Sequence, residues 1–303
     1  MGAAGAAIAL LVLAYVLPSY SAKLVAEILV FGVFAMSLDL LLGYGGLPSL
    51  GHAAYFGTSA YIAAIFSVRL GLPLWVAVAG GLAASVLAAA IFHLVALRTA
   101  KAYYLMISLA FSQVLWSVAV SWTAVTGGDN GLPIAPLVIF GSPRGYLAVL
   151  VVVFFLCLGA MWIIVSSPFG YALRGIRENE RRMEALGYHV WAYKYVLTLV
   201  SALFAGIAGE LFLYLENFVG PSALSVTLSA QVLMMTVVGA AGTLFGSVIG
   251  AVVFVFLQHV LSTYTARWLS VMGLVYVIVA LYAPAGLFSF FFRRRQPKPV
   301  ALP

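Results

Sequence analysis

The sequence predicts an all-α fold: a polytopic transmembrane helix bundle of about ten spans, some of them short and glycine-interrupted, with both termini cytoplasmic. Three observations predict it. Of 303 residues, 65% are hydrophobic and only 8% are charged, whereas a soluble domain is about 45–50% apolar and about a quarter charged. Apolar segments recur at the roughly 20-residue length that a helix needs to cross about 30 Å of hydrocarbon. Lysine and arginine gather at alternate connections between those segments, the asymmetry that orients membrane helices.

Taken in order, the first candidate span is 3–17, which lacks the basic leader of a secretory signal and reads as a retained helix. Spans follow at 24–42, 50–68, 73–97, 102–124 and 146–165. After a polar interruption come 191–215, a shorter 228–240, 244–263 and 268–290. With the N-terminus inside, eleven basic residues fall on the inner side: Arg98, Lys101, Arg174, Arg177, Arg181, Arg182, Lys194, Arg293, Arg294, Arg295 and Lys298. Four fall outside, Lys23, Arg69, Arg144 and Arg267. The short 228–240 segment counts as a crossing, because otherwise Arg293 to Arg295 would lie outside and break the rule. Residues 1–290 thus form one transmembrane domain carrying a cytoplasmic loop at 166–190, and 291–303 form a basic cytoplasmic tail.

The net charge of +7 does not point to nucleic acid, because the basic residues are scattered over loop ends rather than gathered into a patch. His52, His93, His189 and His259 have no second ligand at metal-binding spacing, so no metal is expected. Lys23, Lys101, Lys194 and Lys298 each follow a residue other than glycine, which rules out a Walker A loop, and no Gly-x-Ser-x-Gly elbow occurs. The chain is not expected to be an enzyme or to hold a cofactor. The single cysteine, Cys157, sits in an apolar run and reads as packing.

Two glycine-rich runs stand out, one in each half. Gly43 to Gly51 contains Gly45, Gly46, Pro48 and Ser49 and leads into His52; Gly239 to Gly250 contains Gly242, Thr243 and Gly246. Paired interruptions of this kind mark duplicated transporter halves meeting at a pathway, although close helix packing through small residues explains them too. Ser49, His52 and Thr243 are candidates for solute contact or for helix–helix hydrogen bonds. Three acids lie in apolar helices, where ionisable groups are disfavoured unless paired or functional. Glu27 is four residues after Lys23 and is expected to pair with it. Asp39, about 120° around the helix from Glu27, is expected to face the interior. Glu210 ends the small-residue stretch 205–209, where it meets either a polar partner or the pathway.

The segment 166–189 is the one strongly charged excursion. Glu178 and Arg182 are spaced for an i,i+4 pair, and Leu173, Ile176, Met183 and Leu186 form an incomplete apolar stripe. A short amphipathic helix is expected, capped at its end by Gly187. Lying on membrane lipid is one role for it. Four arginines balanced by three glutamates give little pull toward anionic lipid, which favours docking on a cytoplasmic partner.

Three motifs resemble those of the permeases of branched-chain amino-acid ABC importers, a group that also includes urea and simple-sugar permeases. The first is Gly43-Tyr44-Gly45-Gly46 with Ser49-Leu50-Gly51-His52-Ala53-Ala54-Tyr55-Phe56-Gly57. The second is Thr126-Gly127-Gly128-Asp129-Asn130-Gly131-Leu132. The third is Ser167-Pro168-Phe169-Gly170, then Leu173-Arg174, Ile176-Arg177-Glu178-Asn179-Glu180 and Glu184-Ala185-Leu186-Gly187. With Gly239 to Gly250, these spread the resemblance over most of 30–262.

The resemblance implies a ten-helix-type permease that works beside a second homologous permease, two cytoplasmic ATPase subunits and an extracytoplasmic solute-binding protein. It further implies that Arg177 to Gly187 form a coupling helix seated in an ATPase groove, with Arg174, Arg177, Glu178, Asn179, Glu180, Glu184 and Gly187 as coupling residues. The expected solute pathway comprises Asp39, Gly45, Gly46, Ser49, Gly51, His52, Glu210, Gly239, Gly242 and Thr243, and the expected small-molecule substrate is a branched-chain or other hydrophobic amino acid. Two departures bear on the solute: Asp39 and Glu210 stand where the family commonly has neutral residues, and would pair with each other or tune the path for a more polar or cationic solute. An ion-coupled secondary transporter that uses those two acids is the alternative, and a non-transporting assembly subunit is a third reading.

Overall fold

The computed structural model describes residues 19–97, 99, 101–136, 143–265 and 267–282. The expected first span at 3–17, the 291–303 tail and Arg98 lie outside them. The described residues are all-α apart from one two-residue ladder. The helices are α1 (Ser19–Asp39), continued by a π-helical turn (Leu40–Tyr44), then α2 (His52–Val68), α3 (Leu74–Ala96), α4 (Lys101–Ser121), α5 (Thr123–Thr126) and α6 (Pro143–Ser166). The polar excursion forms α7 (Pro168–Glu178) and α8 (Glu180–Ala185). There follow α9 (Val190–Glu216), α10 (Val226–Gly239), α11 (Leu244–Tyr264) and α12 (Trp268–Tyr282). Strand β1 (Leu132–Pro133) pairs antiparallel with β2 (Phe218–Val219).

Six helical stretches among the described residues are long and apolar enough to cross a membrane: Ser21–Tyr44, Leu74–Ala96, Tyr103–Ser121, Gly145–Ser166, Val190–Glu216 and Leu244–Tyr264. Two other apolar helices are shorter for identifiable reasons. Helix α2 is preceded by the Gly–Pro break at 45–51 and runs for 17 residues, and α10, at 14 residues, is about 21 Å long. Ahead of α10 the chain is not regular helix: after β2 a 3₁₀ turn (Pro221–Leu224) leads to Ser225, whose hydroxyl accepts from Leu228 N–H and starts the helix there.

Helices α1, α2, α3 and α9 form the centre, with α10 and α11 as a hairpin against α1, and α6 also packed on α1. Glycines let these helices approach so closely that a Cβ would strike opposing backbone: Gly209 meets Phe56 O, Gly250 meets Met235 O, and Gly239 and Gly246 each meet the other's carbonyl. Polar side chains then join the helices. Ser201 donates to Ser37 O (2.6 Å) and Thr236 to Ala35 O (3.2 Å). Ser85 donates to Ala202 O (2.8 Å). Cys157 is buried as expected.

The expected Lys23–Glu27 pair is not formed. Lys23 Nζ instead meets Glu216 at the far end of α9 (3.0 Å), and Glu27 meets His259 of α11 (2.9 Å). Spacing along one helix made the two residues neighbours, but tertiary partners on other helices took both. The Thr126 motif forms a compact turn beside the β1–β2 ladder: Thr126 Oγ1 accepts from Gly128 N–H (3.2 Å) and donates to Ala119 O (2.6 Å). Gly127, Gly128 and Gly131 all take positive φ there, which explains their identity.

Candidate functional site

At the end of the bundle that bears α7 and α8, three separate segments meet. The π-helical turn widens the end of α1, and Asp39 Oδ1 accepts a hydrogen bond from Gly242 N–H (2.6 Å) in the turn between α10 and α11. Arg177 Nη1, from α7, donates to the carbonyl of Gly43. A Cβ at Gly43 would collide with Asp39 Oδ1 and the Gly242 backbone, and one at Gly46 would stand 3.0 Å from Arg177 Cγ. Only glycine fits between the acid, the turn and the arginine. The turn is strained at Ala240, whose φ of 93° lies in a region that side chains rarely occupy, while Gly242 takes a φ of 91° that glycine adopts freely. Arg174 lies over the Tyr44 and Tyr171 rings (5.3 and 5.0 Å) and donates to Val165 O (3.0 Å).

The loop that carries these arginines is two helices rather than the single one expected from its pattern. Asn179, at φ −155° and ψ 99°, breaks it, and its side-chain oxygen accepts from Arg182 N–H (3.0 Å) to cap α8. The break takes Glu178 and Arg182 out of a shared helical register, so the expected i,i+4 geometry is lost. Gly187 ends α8 at φ 88°, as expected: its N–H donates to Glu184 O, and Tyr188 N–H donates to Met183 O. Ala172, Ile176, Met183 and Val190 form a small core that joins α7 and α8 to the start of α9. Lys194, buried on α9, meets Glu180 at 2.7 Å. Glu178, Asn179, Arg181, Arg182, Glu184 and Gly187 are exposed, and so is Leu186 at 67%.

The lead-in to α2 is buried and satisfied by serines. Ser49 Oγ accepts from Gly51 N–H (3.2 Å), Ser108 of α4 accepts from Leu50 N–H (3.1 Å), and Ser229 of α10 accepts from Ala53 N–H (2.9 Å). Non-helical backbone among apolar helices requires such donors and acceptors. A Cβ on Gly51 would strike Ser108 O, and one on Gly45 would strike Leu197. His52 is fully buried, with Nε2 2.8 Å from Ser37 Oγ. Because that hydroxyl donates to Phe34 O (2.7 Å), it accepts from Nε2–H, leaving Nδ1 as a buried lone pair without a partner among the described residues.

Asp39 and Glu210 do not share a partner. Glu210 Oε1 accepts from Ser59 (2.9 Å) and faces Gly81, deep between α2, α3 and α9. Ser201 marks the level of Ser37 on α9, and Glu210 lies nine residues further along, about 14 Å toward the opposite end. Thr243 Oγ1 donates to Ala240 O (2.7 Å), while Gly239 is held against Gly246. Sequence reasoning missed Ser37, Ser59, Ser108, Ser201 and Ser229. A lone serine in an apolar run carries no signal of its own until the facing helix is known.

The combined arrangement is a bundle without a metal cluster among its described residues, with a charged external loop tied by one arginine to a glycine-packed turn. A family profile described as "Branched-chain amino acid transport system / permease component" matches residues 20–281. The chain belongs to that family. It is similar to the high-affinity branched-chain amino acid transport system permease protein LivM of Escherichia coli, with 26% identity covering 92% of this chain and 73% of the relative. A probable branched-chain amino acid transport permease protein LivM of Methanocaldococcus jannaschii is 24% identical over 88% of this chain and 94% of its own length. A shorter match, 30% identical over 23% of the chain and 21% of the relative, is to the nucleoside ABC transporter permease protein NupC of Lactococcus lactis. No solved structure matches this chain. As a member of the permease family, the chain is a multi-pass membrane protein and a transport component.

Proposed function

We propose that this permease is the membrane subunit of an ATP-driven importer for branched-chain or other hydrophobic amino acids. It works with a second homologous permease, two cytoplasmic ATPase subunits and an extracytoplasmic solute-binding protein. The observation that carries the reading is the Arg177–Gly43 hydrogen bond beside the Asp39–Gly242 contact. The exposed edge of α7 and α8, from Glu178 to Gly187, seats on an ATPase subunit, and closure of the ATPase pair pushes that rigid two-helix unit. Arg177 passes the displacement to the end of α1 and to the α10–α11 turn, where packed helices have two arrangements rather than a continuum.

Gly45, Gly46, Ser49, Gly51, His52, Gly239, Gly242 and Thr243 belong to the moving part, and the path opens beside them. Asp39 and Glu210 hold these elements in register through neutral donors, which favours a structural role over solute contact. Asp39 Oδ2, buried without a hydrogen-bond partner among the described residues, is the observation that favours the second reading, a secondary transporter in which Asp39 and Glu210 bind protons or sodium. Uptake by proteoliposomes separates the two. ATP-dependent leucine uptake only when the ATPase subunits are present supports the importer, and uptake by this chain alone under an ion gradient overturns it.

A further inference from the structure

The outward faces of most spans are what lipid requires. On α3, Trp75, Leu87, Ile91 and Val95 are exposed, and on α6 Val152, Leu156, Trp162 and Ile163. Every exposed residue from 75 to 95 and from 152 to 163 is apolar or glycine. Helix α4 differs. Gln113, Ser117 and Ser121 recur every four residues along one row and all are exposed. None of the three side chains has a hydrogen-bond partner among the described residues. An amide and two hydroxyls in one row are disfavoured against hydrocarbon.

Depth fixes their setting. Ser112, at the middle of the Tyr103–Ser121 span, donates to Leu224 O (2.9 Å), so Gln113 stands at mid-span. Leu224 ends the 3₁₀ turn before α10, so a segment that is not regular α-helix reaches bilayer mid-depth next to α4. Irregular backbone at that depth is tolerated only when buried in protein or beside water, and Ser222 in this stretch is exposed. Helix α10, which contacts α4, begins there and carries Thr227 and Gln231 four residues apart, exposed and half-buried. No charged residue occurs between 102 and 128 or between 217 and 266.

We propose that the Gln113–Ser117–Ser121 row of α4, with Thr227 and Gln231 of α10, lines an uncharged aqueous path used by net-neutral, hydrogen-bonding solutes such as zwitterions. It deepens the transport reading above and rests on it. Amide and hydroxyl groups replace part of a solute's hydration without fixing its charge, so a zwitterion passes without being trapped as a cation would be by a carboxylate.

The test is cysteine accessibility in the complete transporter, in membrane vesicles, on a Cys157→Ala background. Gln113→Cys, Ser117→Cys and Ser121→Cys are compared with the lipid-facing controls Leu87→Cys and Leu156→Cys. Thiolates attack the sulfenyl sulfur of water-borne thiosulfonate reagents and expel sulfinate, and they form only where water reaches, so the row is expected to react at least about tenfold faster than the controls. Cationic and anionic reagents should label it at similar rates. Rates equal to the controls overturn the proposal, as do spontaneous disulfides between subunits without labelling, which mark dry packing. A strong preference for the cationic reagent overturns the uncharged character. Labelling is independent of the energy source, so ion-driven uptake with a reactive row sinks the importer reading alone, and ATP-driven uptake with an unreactive row sinks this one alone.

Discussion

Arg177 donates to the carbonyl of Gly43 across 134 residues of sequence, and its side chain also flanks Gly46 and Gly242. One arginine thus touches the end of α1, the lead-in to α2 and the turn between α10 and α11. Each of these contacts is to backbone or to a glycine. Under the proposed mechanism, a shift of α7 reaches these three segments through the arginine side chain.

Replacing that arginine should therefore separate two activities. Arg177→Ala is expected to leave the assembled complex able to hydrolyse ATP while solute-stimulated uptake falls about tenfold, within the usual range of coupling between sites. Parallel assays of ATPase rate and uptake in proteoliposomes check it. Uptake in step with a normal ATPase rate would remove Arg177 from the lever.

The glycine beside it gives a stability prediction. In Gly43→Ala the new methyl meets Asp39 and the Gly242 backbone, neither of which is free to turn away. Such overpacking costs about 1–3 kcal/mol. In Gly159→Ala the methyl meets nothing within 4 Å, and the thermal midpoint in detergent should be unchanged or slightly raised. A shared midpoint for both variants would contradict the packing at Gly43.

How much of this was legible beforehand follows from the kind of signal each feature leaves. Apolar runs announced the helices, and the glycines at 43–51 and 239–250 announced close approach, because no other residue tolerates it. Gly187 as a cap was readable from its place after an amphipathic stretch. The Lys23 and Glu27 pairing was misread because i,i+4 spacing reports only one helix, while Glu216 and His259 lie 193 and 232 residues away. The break at Asn179 was hidden for a related reason: the apolar stripe runs on through Met183, and only the asparagine's competing cap interrupts the backbone.

Asp39 offers a test of the rival transport mechanism. Asp39→Asn keeps a side-chain oxygen for Gly242 N–H and abolishes the charge, so ATP-driven uptake should stay within about threefold of the parent, a loss under 1 kcal/mol. Asp39→Ala leaves a buried donor without its partner and should destabilise the protein by about 1–3 kcal/mol. Thermal unfolding and uptake measured on both variants decide the matter. Abolished uptake in Asp39→Asn with normal stability would favour an ion-binding acid.

The last prediction concerns the joint between the two loop helices. Asn179 sits in extended backbone geometry and spends its side-chain oxygen on Arg182 N–H, which sets the angle at which α8 leaves α7. Helix α8 has only six residues, too few to persist without its cap and its contact with the small apolar core. Asn179→Ala should cost about 1 kcal/mol of local helix stability. Amide exchange across 180–186 should then quicken while exchange in α9 is unchanged. Asn179→Asp retains an acceptor at the same reach and should restore slow exchange. If a capped α8 is what the ATPase grips, coupling of ATP hydrolysis to uptake should fall in Asn179→Ala and return in Asn179→Asp. Recovery of exchange without recovery of coupling would place the ATPase contact on the amide group itself rather than on the helix it starts.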